Sequence, residues 1–216
     1  MNLSHKTAIV AGGCGLIGSA IVKAFKECGA KAYSLDKAEG ADIRYVDTYP
    51  WNTILNEYKP NVWVNSMYPE NWREHIHAFY VNTVAVADYF ARTNGGSIVN
   101  IASIYGVVAP DDRIYQGTDV KPAPTEYSAA KGAIIAMTRT IAVRYAKYGV
   151  RCNCVSPGGV FDEHEQRFID QYSARVPMGR MATLEDVAGP VAFLASDWAG
   201  YITGQNIMID GGLTAW

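Results

Sequence analysis

Residues 6–25 read KTAIVAGGCGLIGSAIVKAF: an apolar run, a burst of glycine, then apolar residues spaced for a helix. Glycine costs backbone entropy on folding. Three of them at three-residue intervals, Gly12, Gly15 and Gly18, therefore answer a need other than stability. A tight turn, close approach of backbone N–H groups to a pyrophosphate, and close helix–strand contact each require a missing side chain. The spacing predicts a dinucleotide-binding turn after the first strand, completed by Leu16 and Ile17 at the head of the first helix.

Outward from that turn, β-rich runs predict strands near 7–12, 31–36, 43–46, 61–66, 96–102, 150–156 and 205–209. Helices fall near 15–28, 72–93, 125–148 and 183–196, with a weaker one near 163–174. This alternation predicts an α/β fold of Rossmann type, a doubly wound parallel sheet of about seven strands with helices on both faces. No repeat or linker divides the 216 residues, so 1–216 reads as a single domain.

Asp36 ends the second strand, 18 residues past Gly18. A carboxylate there accepts hydrogen bonds from adenosine ribose hydroxyls and repels a 2′-phosphate, which favours NAD over NADP, although Lys37 beside it weakens the repulsion. Two polar stretches, APDDRIYQGTDVKPAP (109–124) and GGVFDEHEQRFIDQYSARVPMGR (158–180), leave strands at the edge where open parallel sheets bind ligands. Substrate loops are expected at about 104–124 and 159–182.

Composition narrows the partners. With 49% apolar residues, 19% charged and a net charge of −2, the chain lacks the field that attracts nucleic acid or an acidic membrane. MNLSHKTAIV lacks the features of a signal peptide and no apolar run reaches membrane length, so a cytoplasmic location is expected. The four cysteines show no metal-ligand spacing, and Cys152 and Cys154 read as small buried side chains; no metal is expected. His75 and His77, two apart on a helix, point to different faces and read as surface or partner-facing residues. Tyr68, Tyr105 and Tyr115 are candidates for stacking on a sugar ring.

In TEYSAAKGAIIAMTRTIAVRYA (125–146), Tyr127 and Lys131 are four apart and share a helix face. A neighbouring ammonium lowers a phenol's pKa, and such a phenol exchanges a proton with a substrate hydroxyl while hydride moves to a nicotinamide. With FYVNTVAVADYF (79–90), SIVNIASIYG (97–106), NCVSPGG (153–159) and ITGQNIMIDGG (202–212), the chain resembles a short-chain dehydrogenase/reductase over essentially its whole length. The resemblance implies that Ser103 positions the substrate oxygen and Tyr127 is the acid/base. It implies that Lys131 lowers the phenol's pKa and holds the nicotinamide ribose, while Asn82 supports a water-mediated proton relay. It further implies that Val46 and Asp47 border the adenine, Asn65 contacts the adenosine side, and Pro157, Gly158 and Val160 flank the nicotinamide. Homo-oligomers, tetramer or dimer, are implied through the helices at 72–93 and 125–148 and the C-terminal strand.

Several features depart from the compact branch of that family. AGGCGLIG has the GxxGxxG spacing of the extended, sugar-nucleotide branch, Ala11 stands where a threonine is usual, and Ser103 and Tyr127 are 24 apart. Asp162 replaces a threonine expected to bind the carboxamide, and the 48–60 segment leaves little helix. ASIYGVVAP, SPGGVFD and YITGQNIMIDGG resemble compact-branch proteins of surface-sugar and flagellin-modification (nonulosonate) pathways, which implies a role in carbohydrate biosynthesis. The expected function is an NAD(H)-dependent oxidoreductase interconverting a secondary alcohol and a ketone on a small polar, sugar-derived substrate. A nucleotide-sugar epimerase or dehydratase using NAD transiently, and a non-catalytic NAD-binding sensor, are the alternatives.

Overall fold

The computed structural model describes residues 1–36, 51–67 and 72–216. The strand expected at 43–46, together with Lys37, Val46, Asp47 and Tyr68, lies outside the described residues. Six strands are described: β1 (Thr7–Ala11), β2 (Lys31–Leu35), β3 (Val62–Asn65), β4 (Gly96–Ile101), β5 (Val150–Pro157) and β6 (Asn206–Ile209). They form one sheet in the order β2-β1-β3-β4-β5-β6, and every neighbouring pair is parallel.

The helices are α1 (Leu16–Glu27), α2 (Trp51–Tyr58), α3 (Trp72–Arg92), α4 (Thr125–Tyr145), α5 (Gln166–Ser173) and α6 (Leu184–Ala195). Strand alternation explains the layering. Ala8, Val10, Val64, Val99 and Val155 pack with Ile21 and Phe25 of α1 and Val191 and Leu194 of α6. Ile9, Trp63, Ile98 and Cys152 face the other way, onto Phe79 and Phe90 of α3 and Ile134 of α4. Adjacent strand residues thus reach opposite cores, and both faces of the sheet are covered.

The 51–58 stretch, expected to hold little helix, forms two turns because Leu55 is buried there with Trp51, Ile54 and Tyr58 against the α3 face. On the opposite face of the sheet, α6 begins at a reciprocal cap. The Thr183 hydroxyl accepts from the Asp186 amide at 3.3 Å, and the Asp186 carboxylate accepts from the Thr183 amide at 2.7 Å. Arg180 holds the same carboxylate, which keeps Asp186 down at about 2. Among the described residues no helix is long and apolar enough to cross a membrane.

This topology gathers the functional segments. The strands all point one way, and the chain reverses order around β1, going first to β2 and then across to β3. The carboxyl ends of β1, β3, β4 and β5 therefore open onto one crevice, the place where such sheets bind ligands.

Candidate active site

The glycine turn lies at the end of β1. Gly12 has φ +81°, and a methyl group there would sit 2.7 Å from the Ser66 carbonyl oxygen; at Gly18 it would sit 2.0 Å from that of Gly12. Neither position admits a side chain, because the obstacle is backbone. Gly15 caps α1 without any side-chain hydrogen bond, and the first turn carries no acidic residue. The amides of Leu16, Ile17 and Gly18 consequently have no intrahelical acceptor and face the crevice end of the helix. That donor set suits a pyrophosphate.

Asp36 reaches this turn from the end of β2: its carboxylate accepts from the Cys14 amide at 3.0 Å, and the Cys14 sulfur lies 3.4 Å from the Ser34 hydroxyl. The acid thus stands beside the glycine loop. Asn65 is placed differently. It is fully buried, accepting from Trp63 Nε1 at 2.7 Å and donating to Thr83 Oγ1 and Asn100 Oδ1 at 3.1 and 2.8 Å. Its amide braces β3 against α3 and β4, and the structure does not bring that side chain to the crevice.

Beyond β4 the chain enters a short 3-10 turn, Ile104–Gly106, capped by Ser103, whose hydroxyl accepts from the Tyr105 amide at 3.2 Å. The turn rests on α4. A methyl group on Gly106 would lie 2.7 Å from the Lys131 carbonyl carbon and 2.9 Å from the Gly132 nitrogen, so this contact sets how Ser103 stands relative to α4. Tyr127, half-buried in the first turn of α4, and Lys131 one turn later face it. The Lys131 Nζ donates to the Ile101 carbonyl at 3.0 Å and sits 5.6 Å from the centre of the Tyr127 ring. Burial pulls its pKa down to about 7.

Asn82, on α3, is also fully buried; its amide nitrogen touches the Met67 sulfur at 3.3 Å, and its Oδ1 has no hydrogen-bond partner among the described residues. A buried carbonyl oxygen of this kind costs free energy unless something donates to it. Ser103, Tyr127 and Lys131 are thus brought together where β4 meets α4, while Asn82 stands on α3 beside Met67.

His75 belongs to the same neighbourhood, which the sequence pattern missed. It is 3% exposed, its ring lies 4.9 Å from that of Phe79, and the Phe79 ring in turn lies 5.8 Å from Lys131 Nζ. Burial first, and the Lys131 charge second, push its pKa down to about 3. His77 is exposed. The expectation that both face the surface or a partner fails for His75, because packing of α3 on α4 encloses that face.

The far wall comes from β5. The Gly158 amide donates to the Ile209 carbonyl at 2.9 Å, joining the turn after Pro157 to the end of β6, and Val160 bridges to Ala182. The Tyr172 hydroxyl accepts from the Gly159 amide, and burial raises that phenol to about 12. Asp162, in place of the expected threonine, is exposed, and its amide donates to His164 Nδ1 at 3.2 Å.

The two expected substrate loops meet each other. Ile114, Phe168, Tyr172, Val176 and Met181 make a small core of their own, separate from the two that flank the sheet. The Asp119 amide donates to Glu165 at 2.7 Å, Gln171 donates to the Gln116 carbonyl at 3.2 Å, and Arg175 lies 3.7 Å from Asp111. The Tyr105 and Tyr115 hydroxyls lie 2.6 Å apart, and the Tyr115 ring packs on Phe168 at 5.6 Å. The polar 109–124 stretch is thus seated on α5.

A family model described as enoyl-(acyl carrier protein) reductase matches residues 63–214. An L-rhamnose 1-dehydrogenase (NAD(P)(+)) of Sphingomonas sp. is 34% identical over 66% of this chain; the chain spans 54% of that enzyme's length. A 7α-hydroxysteroid dehydrogenase of Bacteroides fragilis is 30% identical, with 97% of this chain and 95% of that protein covered. Among solved structures, a short-chain dehydrogenase from Leptospira borgpetersenii with bound NAD+ superposes with a TM-score of 0.83 at 32% identity, covering 99% of this chain and 96% of that one.

Proposed function

The chain belongs to the short-chain dehydrogenase/reductase family, and from that premise we propose that it interconverts a secondary alcohol and a ketone on a small polar, sugar-derived substrate, with NAD(H) as cofactor. The observation that carries this reading is the convergence of Ser103, Tyr127 and a buried Lys131 beyond the end of β4.

In the alcohol-oxidising direction Ser103 donates to the substrate oxygen and holds it beside Tyr127. The Lys131 ammonium favours the Tyr127 phenolate, which takes the hydroxyl proton. Asn82 Oδ1 seats the water through which that proton leaves. When bound, NAD supplies the acceptor for the hydride released from the substrate carbon. The Gly12–Gly18 turn would hold its pyrophosphate and Asp36 its adenosine ribose, favouring NAD over NADP. Tyr127 and Lys131 would hold the nicotinamide ribose, with Pro157, Gly158 and Val160 beside the ring. A sugar dehydrogenase among the relatives supports a polyol substrate, as does the polar character of the two substrate loops. The same reading includes a cytoplasmic homo-oligomer.

The test follows absorbance of NADH while the protein and NAD meet a panel of sugars, sugar phosphates and nucleotide sugars. Tyr127→Phe keeps the ring and removes the acid/base, and a rate loss on the order of 100-fold or more is expected. Unchanged turnover in that variant would sink the assignment. Carbon-bound hydrogen exchange without net NADH would point instead to transient oxidation, the epimerase or dehydratase alternative favoured by the glycine spacing.

A further inference from the structure

We propose that the paired phenols of Tyr105 and Tyr115 form a subsite for a hydroxyl adjacent to the reacting carbinol, so that the site selects vicinal diols over isolated alcohols. The inference rests on the oxidoreductase reading of Ser103 and Tyr127 and adds to it the feature that the substrate must present.

The pair is tied to the reacting centre. Tyr105 lies two residues beyond Ser103 and donates its amide to the serine hydroxyl at 3.2 Å. Burial first, and the hydrogen bond to Tyr115 second, raise its phenol well above the ordinary tyrosine range, with smaller contributions from Tyr172 and Tyr127. Tyr115 comes from the long interval between Ser103 and Tyr127 and is fixed from behind by the Phe168 ring.

Two phenols carry two hydrogens. One lies between the oxygens, 2.6 Å apart. The other has no acceptor among the described residues, though both side chains are half-buried. That second O–H is left to donate to a ligand oxygen that reaches the pair. A hydroxyl next to the reacting carbon supplies that oxygen, and its own hydrogen can return to a phenol oxygen. An acyl chain or an isolated carbinol offers no such group.

The experiment measures binding of cis-1,2-cyclohexanediol and cyclohexanol to the NADH-saturated protein by calorimetry, beside NADH production from each in the presence of NAD. In the wild type the diol is expected to bind more tightly. Tyr105→Phe is expected to weaken the diol about tenfold and leave cyclohexanol unchanged. Tyr115→Phe acts in the same direction, and the double variant loses no more than the worse single one, because one pair is being removed. Equal affinity of the wild type for both probes, or equal weakening of both in the variants, overturns the subsite. Diol selectivity without NADH from any alcohol leaves the subsite standing and overturns the oxidoreductase reading; equal binding with NADH from both does the reverse.

Discussion

Burial holds Lys131 at about 7 against an ordinary 10.5, with consequences for the whole chain's stability. Between those values the unfolded chain carries the proton and the folded chain does not, so stability rises as pH climbs from about 7 towards 10. Lys131→Met is expected to flatten that rise, which melting curves across the range would show in the cofactor-free protein. His75 acts on the acid side. Its folded pKa of about 3 lies below the ordinary 6.5, so stability falls as pH drops through that interval, by a few kcal/mol in order of magnitude. His75→Gln is expected to lessen the acid sensitivity; an unchanged slope would assign it to other groups. Tyr127, Lys131 and the glycine turn stood out as candidates because their spacing falls in a matching context, a strand and helix around the glycines and the flanking motifs around the pair. His75 was not. "HIH" offers two faces, and only the packing of α3 across Phe79 and α4 decides which histidine goes inside.

Segments were legible where periodicity is local and obscure where contacts are distant. The strand at 150–157 is a β-rich run buried almost throughout, and the helix at 125–145 is rich in alanine and other good helix formers. The 109–124 stretch is polar and rich in proline, yet Ile114 is 3% exposed because Phe168 and Tyr172, more than fifty residues on, cover it. Nothing near Ile114 signals that partner. Ile114→Ala is expected to destabilise by about 2–4 kcal/mol if the seat is integral to the fold, and to raise KM more than it lowers kcat, since the reacting groups stand elsewhere; melting and steady-state kinetics check both. The 3-10 turn makes the opposite case. Gly106→Ala forces a methyl group into α4 backbone at 2.7 Å, shifts Ser103, and is expected to lower kcat at least tenfold. Retention of full activity would show that Ser103 is not positioned through this contact.

For the whole molecule, the doubly wound architecture was legible from alternation alone, and the sheet order follows from short connections and right-handed crossovers. The edges were harder to read. Strand β6 is half-exposed along its length, and Trp198 and Tyr201 just before it are 79% and 105% exposed. Exposed aromatic surface beside an edge strand favours association. Sedimentation is expected to show a dimer or tetramer, and charged substitutions at Trp198 and Tyr201 to shift it towards smaller species. The bond from Gly158 to the Ile209 carbonyl has a further consequence, in the timing of synthesis. Pro157 pairs with Ile209, 52 residues later, so the wall beside the candidate site waits for β6 to leave the ribosome. At ~10 residues per second that interval is about five seconds. Tyr127 and Lys131 are translated throughout it, but a nascent chain has no finished cleft in which to use them.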